Sequence, residues 1–157
     1  MVLLQHKLIS GTIIFTTLEE VGQSYKQVVE FCSNPEYEKY YSNKKLLILD
    51  TSPYDTFIGK NEGFLTLRYG DENGGFDTQL VEEMKSIVEN NNIAYDFKPS
   101  FMGKTELGHV STHTNGKING ATLQLPTLNY HTSHENCTLL SLENYAKILV
   151  KLCEKDN

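Results

Sequence analysis

Leu-Leu-Ile-Leu at residues 46–49 is a short, continuous apolar run that ends in Asp50. Runs of this kind are typical of a strand that is covered by protein on both faces of a sheet. β-branched and aromatic residues between turn signals predict further strands in the rest of the chain. These predicted strands are residues 12–17, 63–69, 93–97 and 121–125.

Helical patterns separate these strands. The clearest helix begins at Asp77 or Thr78, and its apolar side chains at helical spacing are Leu80, Val81, Met84, Ile87 and Val88. Other helices are predicted to begin near Ser24, after the loop at 103–108, and near Ser141. Because strands alternate with helices, the sequence predicts an α/β fold, a three-layer sheet with helices on both faces. A chain of 157 residues is expected to form one domain.

Composition excludes several classes of protein. The formal net charge is -6, so binding to a nucleic-acid backbone, which needs a basic surface, is not expected. No apolar run approaches the roughly 20 residues of a membrane helix, so no membrane association is expected. The three cysteines, Cys32, Cys137 and Cys153, are widely spaced and contain no Cys-x-x-Cys pair. They favour a reducing cytoplasm over a cysteine zinc site.

Acidic and histidine residues follow three of the predicted strands. Glu19 and Glu20 come after strand 12–17, Asp50 ends the run at 46–49, and His131 follows strand 121–125. Sites in α/β sheets gather where strands end. Each residue also has a simpler interpretation, as a solvated loop, an Asx-turn or a hydrogen-bonded loop histidine. Together they supply oxygen and nitrogen ligands that zinc accepts, so the residues indicate a possible metal hydrolase.

Four short sequence motifs resemble those of a known enzyme family, and this resemblance strengthens the interpretation. Ile-Ile-Phe-Thr-Thr-Leu-Glu-Glu-Val-Gly at 13–22 resembles the strand and Glu-Glu-Val-Gly motif of two-zinc aminopeptidases. Leu-Asp-Thr-Ser-Pro-Tyr-Asp-Thr at 49–56 is similar to their second acidic motif. Gly-Lys-Thr-Glu-Leu-Gly at 103–108 resembles their Gly-Gly-Thr-Asp-Ala-Gly loop. Leu-Pro-Thr at 125–127, followed by His131 and Glu135, resembles their Ile-Pro-Thr and His-Ser-Pro-x-Glu motif.

The four strings occur in the order found in the tetrahedral, self-compartmentalising glutamyl and deblocking aminopeptidases. The resemblance implies a zinc-exopeptidase-like catalytic domain that hydrolyses the N-terminal residues of peptides. Glu19 then matches the general base and Glu20 a zinc ligand. Asp50 matches a ligand of the other zinc, and His131 the second terminal ligand of the zinc that Glu20 holds.

The resemblance also implies a substrate-binding loop and a cofactor. The loop residues are Gly103, Lys104, Thr105 and Glu106, with Lys104 and Glu106 in place of a glycine and an aspartate of the family. The implied cofactor is a pair of zinc ions, with cobalt or manganese as alternatives. His134 is expected to be exposed or outside the set of metal ligands.

Part of the family's site has no match in the sequence. The family places a His-x-Asp motif and a metal-bridging aspartate before its Glu-Glu motif, whereas His6 is followed by Lys7 and Leu8. The chain at 1–157 is therefore expected to be a single partial catalytic domain, the C-terminal portion, with the N-terminal part missing. It is expected to be inactive or poorly active on its own. An open sheet edge predicts a homo-oligomer or pairing with an N-terminal partner segment.

Two other functions stay open. A relative in the same clan of zinc exopeptidases could be an amidohydrolase that removes acyl groups. A non-catalytic remnant could keep the fold and act as an interaction module.

Overall fold

The structure is a computed structural model that describes residues 12–19, 21–42, 44–53, 63–98 and 103–154. Its strands are β1 (Leu46–Pro53), β2 (Leu65–Arg68), β3 (Gly70–Asp71), β4 (Gly74–Gly75), β5 (Tyr95–Lys98) and β6 (Gly120–Thr127). Four of them form a mixed sheet in the order β1, β6, β2, β5, and β3 pairs with β4 in a separate ribbon.

β6 is the central strand of the sheet. It runs parallel to β1 along its whole length, from the pair Leu46 and Gly120 to the pair Pro53 and Thr127. On its other side it runs antiparallel to β2, which in turn pairs parallel with β5. Seven of the eight β6 residues are buried. Because successive side chains of a strand point to opposite faces, burial of nearly all of them means that both faces of the sheet are covered.

The helices supply that cover. They are α1 (Tyr25–Ser33), α2 (Glu38–Tyr41), α3 (Thr78–Asn90), α4 (Glu106–His113) and α5 (Leu139–Glu154), with a 3₁₀ turn at Pro35–Tyr37 before α2. α3 and α5 contact each other and both pack on β2 and β6, whereas α4 packs on β6 and α1 packs on α4. The α/β fold with helices on both faces is confirmed. Within the described residues, no helix is both long and apolar enough to cross a membrane.

The predicted apolar face of α3 is also confirmed. Its five buried residues are the predicted ones, Leu80, Val81, Met84, Ile87 and Val88. Asp77 caps the helix, since its Oδ1 accepts a hydrogen bond from the Leu80 N–H at 3.0 Å. These side chains join Leu65, Leu67 and Leu123 of the sheet in the hydrophobic core.

The predicted buried strand at 12–17 is wrong. None of these residues lies in a strand, and the exposed fraction is 45% for Ile13 and 86% for Phe15. A strand needs a neighbour that pairs with its backbone. At Thr17 the side chain of Gln27 takes that place: its Oε1 accepts from the Thr17 N–H at 3.1 Å and its Nε2 donates to the Thr17 carbonyl at 3.2 Å.

Two boundaries matter for the site. β1 continues to Pro53, so Asp50 lies within the strand and not at its end. The reason is the parallel ladder with β6, which pairs Thr51 with Leu125 and Ser52 with Pro126. Ser24 occupies the N-cap position of α1, but its side chain makes no capping hydrogen bond.

A buried carboxylate fixes the start of α4. Asp71 is 4% exposed. Its Oδ2 accepts hydrogen bonds from the N–H and the hydroxyl of Thr105, at 2.7 and 2.9 Å. Its Oδ1 accepts from the Asn73 N–H at 2.7 Å. Thr105 then caps α4, since its Oγ1 accepts from the Gly108 N–H at 3.2 Å. A Cβ on Gly108 would lie 2.2 Å from Asp71 Oδ2, so only glycine fits here without displacing the carboxylate.

We expect Gly108→Ala to lower the free energy of unfolding by about 1–3 kcal/mol through overpacking against Asp71. In an ordinary helix interior the same change would instead raise it by about 1 kcal/mol. Urea denaturation of both proteins measures the difference. Gly75→Ala is the matched control, because its added Cβ would meet only the Tyr69 carbonyl, at 3.9 Å. A Gly108→Ala variant as stable as the parent protein would contradict this assignment.

Candidate functional site

Polar side chains share one face of the sheet where hydrophobic ones would be expected. Asp50 and Gln124 are register partners in β1 and β6, and Thr66 of β2 is the partner of Gln124 on the other side. Register partners point to the same face, as do residues two apart in one strand. We call this set the polar face, and its members are Asp50, Ser52, Thr66, Arg68 and Gln124.

The carboxylate of Asp50 is oriented by two donors. Its Oδ1 accepts from the Thr51 N–H at 2.7 Å, and its Oδ2 accepts from Gln124 Nε2 at 3.1 Å. Gln124 Nε2 also donates to the Thr51 carbonyl at 3.2 Å. Since both partners of the amide nitrogen are acceptors, these contacts define which way the Gln124 amide faces.

One guanidinium lies among the carboxylates. Arg68 is 3% exposed, and its Nε donates to the Gly70 carbonyl at 2.9 Å. Burial lowers the pKa of Arg68 below its usual range, while the charges of Asp71, Asp50 and Tyr130 raise it. Arg68 therefore stays charged at neutral pH and balances part of the negative charge of the polar face.

Glu106, the first residue of α4, carries a second carboxylate, which interacts electrostatically with Asp50. Burial raises the pKa of the Glu106 carboxyl; the Ser24 side chain lowers it, and the Asp50 carboxylate raises it. Among the described residues, neither buried Glu106 Oε1 nor buried Gln124 Oε1 has a hydrogen-bond partner. Buried acceptors without a donor are uncommon and require an explanation.

A short loop after β6 carries His131. An isolated bridge between Leu128 and Asn136 closes the loop at its base. Glu135 holds it from inside: its Oε1 accepts from the Thr127 hydroxyl at 2.6 Å and its Oε2 from the His131 N–H at 3.1 Å. These hydrogen bonds lower the pKa of Glu135, with the Thr127 contact as the main cause. Glu135 therefore stays ionised and keeps the loop closed at neutral pH.

The His131 backbone is in the left-handed region, with φ +59°. A non-glycine residue with this backbone conformation costs about 1–2 kcal/mol. The hydrogen bonds that Glu135 accepts offset this cost. The His131 side chain is exposed and lies against the Tyr130 ring, with 3.9 Å between the ring centroids. His134 is exposed as well.

The general base predicted at Glu19 lies in an exposed turn. The turn is closed by a hydrogen bond of 2.7 Å from the Gly22 N–H to the Glu19 carbonyl. α1 follows, and its Tyr25 ring stacks against His109 and His113 of α4. The start of α1 is thus attached to α4, the helix that carries Glu106. The predicted zinc ligand Glu20 lies outside the described residues, as does His6.

Part of the predicted substrate-binding loop stabilises the fold. Gly103 has φ +70° and pairs with Glu72, since its carbonyl accepts from the Glu72 N–H at 3.0 Å. Lys104 is exposed, whereas Thr105 is buried in its contacts with Asp71. Glu106 is the member that interacts electrostatically with Asp50. Binding of substrate by this loop stays a prediction.

Asp50 and Glu106 interact electrostatically, but the described residues do not complete a metal site. Asp50 lies three residues before the end of β1, and His131 four residues after the end of the parallel strand β6. Both therefore belong to the same edge of the sheet. Within the described part of the chain, no group of three or more His, Cys, Asp or Glu side chains could hold a metal ion. The acceptor-only oxygens of Asp50 and Glu106 fit a divalent cation.

Sequence reasoning missed four residues that build this site: Arg68, Asp71, Gln124 and Glu135 as the anchor of the His131 loop. A signal was present for one of them. Thr122 and Gln124 alternate with apolar residues in β6, and polar residues at a spacing of two in a central strand indicate a polar face.

We expect Glu135→Ala to open the His131 loop. The change removes the acceptor of the His131 N–H and leaves the buried Thr127 hydroxyl without its carboxylate partner. Hydrogen bonds to charged groups contribute roughly 1.5–3 kcal/mol, so the His131 amide is expected to exchange with solvent at least about tenfold faster. Hydrogen exchange followed by NMR measures this rate. Glu143→Ala, at an exposed position of α5, is the control; equal exchange in both variants would contradict the role of Glu135.

Several solved structures with a similar fold are aminopeptidases or peptidases. The TET aminopeptidase of the marine sediment archaeon Thaumarchaeota archaeon SCGC AB-539-E09 superposes with a TM-score of 0.69 at 16% identity, covering 89% of this chain and 38% of that chain. Aminopeptidase APDkam598 of Desulfurococcus kamchatkensis gives a TM-score of 0.67 at 19% identity, covering 89% of this chain and 40% of that chain. The TET1 peptidase of Pyrococcus horikoshii gives 0.58 at 21% identity, covering 88% and 39%.

These likenesses establish the fold, and the chain spans only 38–40% of the length of those proteins. Among curated proteins, no sequence matches this chain significantly. The family model of the M42 glutamyl aminopeptidases matches residues 4–148, which is most of the chain. The chain therefore belongs to the M42 glutamyl aminopeptidase family.

Proposed function

We propose that this chain is the C-terminal part of a metallo-aminopeptidase that hydrolyses N-terminal residues of peptides with two zinc ions. Residues 1–157 then form a single partial catalytic domain. The observation that carries the proposal is the family match over residues 4–148. The electrostatic interaction of Asp50 with Glu106, and the position of His131 four residues after the end of β6, support it.

Glu19 is the proposed general base. Zinc, when bound, supplies Lewis acidity toward the attacking water and the scissile carbonyl. Glu19 takes a proton from the water and delivers it to the leaving amine. Glu19 lies in an exposed turn that precedes α1.

Glu20, Asp50 and His131 are the proposed metal ligands, with cobalt or manganese as possible substitutes for zinc. Glu20 and His131 would share one ion, and Asp50 would bind the other. Two protein ligands make a weak and open zinc site, because complete sites use three or four. Without a carboxylate between them, two cations a few ångströms apart would also repel each other. We therefore propose that further ligands come from polypeptide beyond these residues, and that the 157 residues are weakly active or inactive by themselves.

Gly103, Lys104, Thr105 and Glu106 are the proposed substrate-binding residues. The start of α4 is held in place by the Thr105 contacts with buried Asp71. Such a fixed backbone suits a loop that positions a peptide next to the metal ligands.

We propose that the protein is cytoplasmic and acts in a homo-oligomer or together with an N-terminal partner segment. The TET1 peptidase of Pyrococcus horikoshii is described as assembling into a tetrahedron or a large octahedral shell. β1 lies at one end of the strand order in the described sheet, so a further strand could pair with its outer edge.

The first test is calorimetric. Metal-free protein titrated with zinc is expected to bind at most one ion, far more weakly than the roughly 10–16 kcal/mol of complete structural zinc sites. His131→Ala should weaken this binding further if His131 is a ligand. His134→Ala is the matched control, because this exposed histidine lies in the same loop outside the proposed ligand set. Tight binding of two ions by the 157 residues would refute the incomplete site.

The second test concerns the reaction. Aminoacyl-anilides and N-acyl amino acids are assayed with the chain by itself and with any coding sequence that lies upstream of Met1. We expect metal-dependent hydrolysis of the anilides, weak or absent for the chain by itself. Glu19→Gln should reduce the rate by at least about a hundredfold, because a general base contributes 10²–10⁴-fold. Glu143→Gln is the matched control. Preferential hydrolysis of N-acyl amino acids would favour the amidohydrolase, and an active Glu19→Gln variant would exclude Glu19 as the base.

A further inference from the structure

Leu18, the residue directly before Glu19, has an unfavourable backbone conformation. Its φ is +63°, in the left-handed region that residues other than glycine rarely adopt. The Leu18 side chain is 60% exposed, so burial of apolar surface does not compensate for the strain. Backbone strain of this kind persists only where the surrounding contacts determine the conformation, and it is concentrated at functional sites.

The side-chain amide of Gln27, in α1, makes three hydrogen bonds to Thr17. Gln27 Oε1 accepts from the Thr17 N–H at 3.1 Å. Gln27 Nε2 donates to the Thr17 carbonyl at 3.2 Å and to the Thr17 hydroxyl at 2.7 Å. Rotation of the amide by 180° would lose both bonds to the Thr17 backbone, so its orientation is defined. We call these three hydrogen bonds the Thr17 clamp.

The two carbonyls that flank the Leu18 Cα are both held by residues at the start of α1 or just before it. The Thr17 carbonyl, in the peptide group before this Cα, accepts from Gln27. The Leu18 carbonyl, in the peptide group after it, accepts from the Gln23 N–H at 3.1 Å. Because φ and ψ of a residue are set by the orientations of its two peptide groups, these bonds fix the left-handed conformation of Leu18.

The same contacts determine the direction of Glu19. The peptide group before Glu19 contains the Leu18 carbonyl, and the Glu19 carbonyl accepts from the Gly22 N–H at 2.7 Å. With both flanking peptide groups held, the Cβ of Glu19 leaves the backbone in one direction. α1 is itself attached to α4 by Tyr25, whose hydroxyl lies 3.2 Å from His113 Nε2. The Thr17 clamp therefore links the direction of Glu19 to α4.

We propose that Gln27 is a positioning residue for the general base. The Thr17 clamp holds Leu18 in its strained conformation and thereby fixes the direction in which the Glu19 carboxylate points. Gln27 acts on the reaction only through Glu19, so this role rests on the proposed function, in which Glu19 takes a proton from water. Orientation of this kind matters because a displacement of about 1 Å can cost about a hundredfold in rate.

The clamp is tested in the 157-residue chain with Gln27→Met, which keeps the length of the side chain and removes its hydrogen-bonding groups. A strong nuclear Overhauser effect between the amide and Hα protons of Leu18 marks its positive φ, and we expect this signal to weaken. The Thr17 amide should exchange with solvent at least about tenfold faster. Ring contacts between Tyr25 and His113 should persist, which shows that α1 remains on α4.

Gln23→Met is the matched control. Gln23 is exposed in the same turn, and its side-chain Oε1 accepts from Lys26 Nζ at 3.3 Å. The hydrogen bond that holds the Leu18 carbonyl comes from the backbone of Gln23, so the control should leave both signals unchanged. An unchanged Leu18 conformation in Gln27→Met would overturn the clamp.

A double-mutant cycle separates positioning from stability. In the form of the protein that hydrolyses aminoacyl-anilides, we expect Gln27→Met to lower kcat about ten- to a hundredfold with little change in KM. Added to Glu19→Gln, which already lacks the base, the same change should lower the rate by less than about twofold, because effects that act through one group are not additive. A residue with only a structural role would lower the rate in both backgrounds.

The outcomes also separate this role from the proposed function. Loss of the Leu18 conformation with an unchanged kcat, or an equal loss of rate in both backgrounds, would overturn the positioning role and leave Glu19 as the base. An active Glu19→Gln variant, or no anilide hydrolysis in any form of the protein, would overturn the proposed role of Glu19 and the role of Gln27 with it.

Discussion

The parallel pairing of β1 with β6 determines where every element of the site lies. Its register sets Asp50 directly beside Gln124, so that the amide can hold the carboxylate. Because the two strands are parallel, their carboxyl ends meet at one edge, where the His131 loop follows β6. A shift of β1 by one residue would turn Asp50 to the opposite face and leave the Gln124 amide without its carboxylate acceptor. Buried Ile48 resists such a shift, since it would turn to the opposite face together with Asp50.

The buried side chains of the polar face are unfavourable for the stability of the core. A central strand buried on both sides is expected to be apolar, yet Thr66, Arg68 and Gln124 are each less than 9% exposed. Replacing buried charged networks by apolar residues of similar volume is often neutral or stabilising. A sequence that keeps carboxylates and an orphan amide oxygen here gives up stability for some other property. In the proposed function that property is metal binding by carboxylate oxygens.

The sequence predicted the parts of the structure that depend on local pattern. The apolar face of α3 follows from a spacing of 3.6 residues, and the run at 46–49 forms a strand as its hydrophobicity predicts. The predicted cover on both faces of this strand is wrong, because Leu49 is 48% exposed and β1 lies at the end of the described strand order. Long-range contacts were not predictable in this way. Asp71 lies in a turn-rich stretch where an aspartate is ordinary, and its partner Thr105 is 34 residues away. Asp50 was found by its position after an apolar run, but Gln124, which orients it, is 74 residues away in the chain.

The stretch 12–17 shows why strand propensity is insufficient. Its β-branched residues favour an extended backbone, but a strand is stable only when a neighbour pairs with its hydrogen-bonding groups. In the described sheet, β1 is at the end of the strand order, while Ile13 and Phe15 expose apolar surface outside any strand. The same stretch leads into the turn of Glu19, so its position also decides where the proposed general base points. Pairing of 12–17 in a sheet would therefore bury Ile13 or Phe15 and fix the Glu19 turn in one step.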